Sequence, residues 1–405
     1  MSKFTKFIKH PLLFIRDTKL LRQTSNKKSK HNQYNNIEVF SIDFKNTPIG
    51  VYFYGSLNSY YQLQQWIKPL LELHQSMPFV FIVRDIHVYR KLIEDYQHPT
   101  VYLKTLNNLT DFYQNNHLKI ILYVNNGVKN FQSLMYTNAY HIHINHGESE
   151  KESMYSNQAK AYDYILTVGN RAIDRYKEHL LNFDSQKFIK IGRPQLDYIE
   201  KTTKINNLEQ KKVILYAPTW EATHESMNYS SVSKYGEILI KFLLLKKEYL
   251  IIYKPHSAIG TKDSNIKRSH LNIIKMLETY QDGYVLEEEN IHNIFPIIDF
   301  AFFDNTSVMI DYLYFNKPAA YLKIKEDNSL KHILKGIFEI NENNFSEILT
   351  LLNKELKIDS LSKERNKIKY YYLDDYQQGE STKKFIHTLQ QLIKKRDNEI
   401  NTKSL

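Results

Sequence analysis

From about residue 37, short apolar runs alternate with longer stretches whose apolar residues return at helical spacing. IGVYFYG (49–55), FVFIVRD (79–85), KIILYV (119–124), AYHIHIN (139–145), YILTVG (164–169) and FIKIGRP (188–194) have the length and the β-branched, aromatic content of strands. Between the first two, YQLQQWIKPLLELHQ carries the period of an amphipathic helix. Such alternation predicts a parallel sheet covered by helices. The polar stretch EKTTKINNLEQK (200–211) interrupts it. The alternation restarts with KVILYAPTW (212–220), YLIIYKPH (249–256), YVLEEE (284–289), IIDFAFFD (297–304) and AAYLKI (319–324). The pattern predicts two α/β units in tandem, 37–200 and 212–385, and a helical tail over 386–405. No GxGxxG loop follows a strand, which disfavours a nicotinamide dinucleotide site.

The beginning of the chain differs. Residues 1–22 interleave Phe4, Ile8, Leu12 and Ile15 with Lys3, Lys6, Lys9, Arg16 and Lys19, and Pro11 would kink a helix there. The spacing fits a segment lying on anionic lipid, and equally a helix packed on the protein's own core. Residues 23–36 read as a polar linker. No apolar run is long enough for a membrane-spanning helix, and no signal-peptide pattern is expected. The 405 residues hold 55 basic and 44 acidic side chains, a net charge of +11, which suits anionic partners without choosing among them. The absence of cysteine excludes disulfides and thiolate metal sites.

Two facing α/β units make a cleft, and open α/β sheets bind ligands beyond their carboxyl strand ends. The strand ends carry His146-Gly147, Gly192-Arg193-Pro194, Thr219-Trp220, Lys254-Pro255-His256 and Asp304-Asn305-Thr306-Ser307. Histidine, hydroxyl and basic groups together are the chemistry of handling phosphate. Ser149 and Glu152 have capping-box spacing, predicting a helix from Glu150 with Gly147 in the preceding tight turn. His146 would stand near that helix N-terminus and stay neutral, as a general base must; by itself the spacing favours a histidine merely hydrogen-bonded in a turn. Asp304 or Thr306 is expected to cap a buried helix from about Ser307, in which Asp311 needs a partner. His141 and His143 lie within a strand, so no metal site is expected.

In this order the segments resemble the CDP-glycerol glycerophosphotransferase family, which includes teichoic-acid primases and polymerases and related capsule polymerases. The resemblance spans about 140–325. It rests on His146-Gly147 with Lys151, on GRPQLD (192–197), on YAPTW (216–220), on Lys254 with His256, and on Asp304, Thr306, Ser307, Val308, Met309 and Asp311 followed by Asn316-Lys317-Pro318. It implies a GT-B fold, with two Rossmann-like domains around a cleft, the first for the acceptor and the second for the nucleotide donor. It also implies transfer of glycerol phosphate, or a related alditol phosphate, from a CDP-activated donor to a hydroxyl of a lipid-linked or saccharide acceptor. His146 would be the base, and His256 with Lys254 would meet the donor pyrophosphate. Arg193, Thr219, Asp304, Thr306, Ser307 and Asp311 would complete the donor and phosphate set. Lys151, Glu148 and Trp220 would stand on the acceptor side. No cofactor or metal is implied, and the expected place of action is the cytoplasmic face of the cell membrane.

The sequence departs from the family pattern at Glu148-Ser149, where Thr-Pro is usual, at Pro255-His256, where the order is reversed, and at Thr306, where serine is usual. The acidic GESEKES stretch suggests the capsule branch, with Glu148, Ser149 and Glu150 reading the acceptor. Two other readings remain open at this level. One is a GT-B glycosyltransferase or hexose-phosphate transferase using a UDP- or CDP-sugar. The other is a non-catalytic basic protein binding glycan or nucleic acid, although basic residues interleaved with aromatics on one face are not evident.

Overall fold

A computed structural model of the chain describes residues 46–200, 205, 211–222, 227–287 and 290–403. The basic segment 1–36 and most of the predicted linker 200–211 lie outside the described residues. The first half forms a seven-stranded sheet from β1 (Ile49–Phe53), β2 (Phe79–Val83), β3 (Thr100–Tyr102), β4 (Ile120–Tyr123), β5 (Tyr140–His143), β6 (Tyr164–Thr167) and β7 (Phe188–Lys190), in the order β3-β2-β1-β4-β5-β6-β7. The second half forms a six-stranded sheet from β8 (Lys212–Ala217), β9 (Tyr249–Tyr253), β10 (Gly283–Val285), β11 (Phe300–Phe303), β12 (Ala319–Leu322) and β13 (Phe338–Ile340), in the order β10-β9-β8-β11-β12-β13. Every pairing is parallel; Ile49 stands in register with Phe79 on one side and Ile120 on the other.

Helices cover both faces of each sheet, so central strands such as β1, β2 and β9 are buried at every position. That explains why their sequences are continuously apolar rather than alternating. Along β8, Leu215 and Ala217 enter one core, and Ile214 and Tyr216 enter the core on the opposite face. Each sheet reverses its strand order beside its first strand, between β1 and β4 and between β8 and β11. Those reversals are where a doubly wound sheet opens a crevice at its carboxyl edge.

The end of the chain does not form a separate tail. Helix Glu380–Lys403 runs unbroken across the expected boundary at 385/386 and returns to the first half. Phe385, fully buried, packs on Trp66 with ring centroids 5.1 Å apart, and Lys119 pairs with Asp397 at 2.5 Å. Just before it, helix Ser362–Leu373 reaches the first half through a 2.7 Å bond from the Tyr371 hydroxyl to Asp174. The carboxylate of Asp197 accepts from the backbone N–H groups of Gly379 and Thr382. Gly192, at φ +75°, gives the close approach this needs, because a Cβ there would stand 2.3 Å from Ser381 Oγ.

Phe385→Ala should therefore cost about 3–5 kcal/mol in denaturant unfolding. Hydrogen exchange should speed up in helix Ile67–His74, which follows Trp66, although residue 385 lies hundreds of positions away. Unchanged protection there would show that the terminal helix does not brace the first half.

Candidate active site

A cleft of about 1080 Å³ lies between the two halves, at the upper end of the range for small-molecule sites. The first half lines it with Tyr61, Gln65, His143, His146, Gly147, Ser149 and Lys151. The second half lines it with Thr219, Trp220, Lys254, His256, Thr306 and Ser307.

The loop after β5 carries His146. Its turn is made by Asn145, which takes the left-handed conformation at φ 52°. The Asn145 side chain accepts from the His146 N–H and donates to the Gly147 carbonyl, both at 2.8 Å, and its own carbonyl accepts from the Trp66 indole. Gly147 is therefore not the tight-turn residue expected. Its lack of a side chain serves a close approach between the halves, since a Cβ there would lie 3.3 Å from Ser307.

The predicted helix from Glu150 does not form either. A short 3-10 turn, Glu152–Met154, follows Lys151 with no side-chain cap. The reason is that Glu148 and Glu150 turn inward. Glu150 takes a bidentate pair from Arg171 at 2.9 and 2.7 Å, and Glu148 pairs with Arg175, with all four side chains almost wholly buried. Glu148 is thus not an acceptor residue. The acidity of this stretch answers Arg171 and Arg175 and carries no information about an acceptor.

Arg193 and Asp311, expected to bind donor, stand behind the cleft wall. The guanidinium meets the Asp311 carboxylate twice, at 2.8 and 3.1 Å, and reaches Gln195 at 2.9 Å. Two of its nitrogens lie 3.3 Å from the His146 carbonyl oxygen. His292 Nε2 completes Asp311 at 2.9 Å. Burial pushes the Asp311 carboxyl up, but Arg193 and then His292 more than offset it and hold it at about 2. Arg193 belongs to the first half and Asp311 to the second. The pair joins the halves and fixes the His146 backbone, so Asp311 serves Arg193 and His292 behind the wall rather than the donor.

Hydrogen bonding sets different tautomers on His146 and His256. His146 Nδ1 lies 3.2 Å from the Val124 carbonyl, which can only accept, so Nδ1 carries the proton and Nε2 the lone pair. His256 Nδ1 accepts from the Ala258 N–H at 3.1 Å, so in the neutral ring Nε2 carries the proton. Burial lowers both to about 4. Arg193 lowers His146 further against its carbonyl bond, and Lys151 and Lys254 do the same at His256 against Glu221. His146 is neutral as expected, but through desolvation rather than a helix dipole. Tyr61 stands edge-on to both rings, at centroid distances of 5.9 and 6.0 Å.

On the second half, Asp304 is fully buried and accepts from the N–H groups of Thr219 and Ser231 at 2.9 and 3.1 Å. Burial raises it to about 7 despite those bonds. It shapes the strand ends β8 and β11 and is not among the cleft-lining residues, which corrects its expected role. Lys151 crosses from the first half to within 3.4 Å of the Thr219 hydroxyl, on the side expected for donor rather than acceptor. Burial lowers it to about 8 against the pull of Asp304 and Asp327. Trp220 stacks on His256 at 5.9 Å and forms cleft wall on the same side. Lys254 donates to the Glu287 carbonyl. Thr306 caps helix Ser307–Tyr312 as expected, which engages its hydroxyl at the Val308 N–H. Glu221, overlooked in the sequence, is buried and accepts from the N–H groups of Gly260, Lys262 and Asp263, holding the loop that follows His256. Tyr61, Gln65 and Asn145 were also missed, since none ends a strand with recognisable chemistry.

The family described as CDP-Glycerol:Poly(glycerophosphate) glycerophosphotransferase matches residues 105–390. The teichoic acid glycerol-phosphate primase of Bacillus subtilis (strain 168) is 28% identical over 250 residues. That match covers 58% of this chain and 58% of the primase, so the chain spans little more than half of that relative. Among solved structures, the wall teichoic acid polymerase TagF soaked with CDPG aligns at TM-score 0.59 and 14% identity, over 97% of this chain and 98% of that one. UDP-GlcNAc 2-epimerase from Neisseria meningitidis, bound to UDP-GlcNAc, aligns at TM-score 0.56 and 12% identity, over 85% and 100%. At these identities the likeness is one of fold, the two Rossmann-like domains of GT-B.

Asp311→Asn should cost about 3–5 kcal/mol in urea unfolding near neutral pH, because it leaves Arg193 buried without its counter-charge. Asp311 has a folded pKa depressed to about 2. Its contribution is therefore present above the ordinary carboxylate range and lost as pH falls. The deficit of the variant should narrow from about pH 4 towards 2, whereas a deficit independent of pH would point to shape rather than charge.

Proposed function

The chain belongs to the CDP-glycerol:poly(glycerophosphate) glycerophosphotransferase family, and from that premise we propose that it transfers glycerol phosphate, or a related alditol phosphate, from a CDP-activated donor to an acceptor hydroxyl. The observation that carries this reading is the pair of opposite histidine tautomers in one cleft. His146 Nε2 offers a lone pair to the acceptor O–H, and His256 Nε2–H offers a neutral donor to a phosphate oxygen. The acceptor oxygen attacks the β-phosphorus, its proton passes to His146, and the bond from that phosphorus to the bridging oxygen breaks. CMP leaves with the electron pair, and Lys151 and Lys254 balance its charge. Thr219 and Ser307 contact the donor phosphates, and Trp220 walls the donor side. The acceptor is a lipid-linked or saccharide hydroxyl, and the product is a teichoic-acid-like or capsular polymer. No helix among the described residues is long and apolar enough to cross a membrane. The basic residues 1–22 would hold the enzyme against the anionic inner face of the cell membrane.

With CDP-glycerol and a polyol-phosphate acceptor, His146→Ala should lower kcat by roughly 10²–10⁴-fold and leave donor KM nearly unchanged. His256→Ala should weaken donor binding as well. Full turnover by folded His146→Ala would sink the base assignment. The profile of kcat/KM against pH should rise through about 4, where His146 loses its proton, and fall through about 8, where Lys151 loses its charge. Lys151→Arg should remove the alkaline fall.

A further inference from the structure

Among the described residues, Tyr61 is the one whose ring meets both His146 and His256, at 5.9 and 6.0 Å, with interplanar angles of 85° and 83°. His146 belongs to the first half and His256 to the second, so this ring stands beside both groups on which the proposed chemistry turns. Its mounting is firm. Helix Tyr60–Gln64 is anchored by Tyr60 and Leu63, both buried, with the Tyr60 hydroxyl bonded to Asp95 at 3.2 Å. One residue beyond the helix, Gln65 accepts from Arg193 at 3.5 Å, the same guanidinium that holds the His146 backbone. Among the described residues the Tyr61 hydroxyl meets one partner, the Gln62 amide at a long 3.5 Å, whereas its ring packs edge-on to two imidazoles.

We propose that the Tyr61 ring is the wall that keeps water from the reacting phosphorus and so commits the enzyme to transfer rather than hydrolysis. This rests on the transferase reading above. In transfer, the acceptor oxygen bonds to the β-phosphorus, the bond to CMP breaks, and His146 takes the proton. Water in the acceptor's place goes through the same balance and releases free alditol phosphate and CMP. A neutral base beside an activated donor does not itself distinguish the two oxygens; positioning of the acceptor and exclusion of water do. Removing the ring leaves room for roughly three waters at about 30 Å³ each. It also opens both histidines to solvent. His146 is faced by Arg193 and His143, and His256 by Lys151, Lys254 and Glu221, and these groups remain. Each imidazole should thus recover only part of the way from about 4 towards its ordinary value.

The test compares wild type, Tyr61→Phe, Tyr61→Leu and Tyr61→Ala on a CDP-activated alditol, measuring CMP release with acceptor, CMP release without acceptor, and polymer-linked product. The expected result for Tyr61→Ala is a rise in the hydrolysis-to-transfer ratio on the order of tenfold, with the acidic limb of the rate profile moved up in pH. Tyr61→Phe should match wild type in both measures, and Tyr61→Leu should fall between. An unchanged ratio in Tyr61→Ala overturns the proposal. So does a shift in Tyr61→Phe equal to that in Tyr61→Ala, which would transfer the role to the hydroxyl. If Tyr61→Ala does not fold, Tyr61→Leu decides, and a wild-type ratio there with a wild-type acidic limb again overturns it. Wild type releasing no CMP under any condition would instead refute the transferase reading.

Discussion

The ion pair between Arg193 and Asp311 is the interaction on which the rest of the site depends. Two separate sheets must present their strand ends to each other, and little in either sheet specifies the other's position. Arg193 answers that with a planar fork that meets a carboxylate twice and still reaches the His146 carbonyl. A lysine would offer one point of charge and no fork. Both groups are nearly inaccessible to water, so each is costly alone and tolerable only with its partner. The glycine beside His146 lets the loop come against Ser307, and the terminal helix returns to close the first half. The cleft is therefore a consequence of how the halves are joined.

That joining sets the electrostatics. Five carboxylates near the cleft are held back from it: Asp304 under Thr219, Asp311 on Arg193, Glu148 and Glu150 on Arg175 and Arg171, and Glu221 on three backbone N–H groups. The cleft wall carries four imidazoles, those of His143, His146, His256 and His292, with three lysines, several hydroxyls and a single acidic residue, Glu287. Such a wall suits an anionic diphosphate, and it leaves His146 unprotonated without a neighbouring carboxylate.

Much of the fold was legible because parallel strands buried on both faces make continuous apolar runs, and eleven of the thirteen strands among the described residues fall in apolar runs that the sequence marks. The two that did not, β3 and β13, are three-residue edge strands; β7 and β10 are as short and also at edges, but Ile191 and Leu286 extend their apolar runs. The site was legible where chemistry follows a strand, as at His146, Lys254, His256, Thr306 and Ser307. It was misread where local spacing met a tertiary demand. The capping box at Ser149 lost to two buried arginines more than twenty residues away. Arg193, Asp304 and Asp311 were singled out as donor groups but stand one layer behind the cleft wall. Tyr61 and Glu221 gave no signal, because a tyrosine in an amphipathic helix and a glutamate after a strand look like many others.

The account stands on His146 being a neutral imidazole with its lone pair on Nε2, while His256 carries its proton there. Nitrogen-15 NMR of histidine-labelled protein near neutral pH, with assignments from His146→Gln and His256→Gln, reads this directly. The predicted spectra show protonated Nδ1 with bare Nε2 for His146, and bare Nδ1 with protonated Nε2 for His256. An imidazolium at His146, or a proton on its Nε2, would contradict the account at its centre.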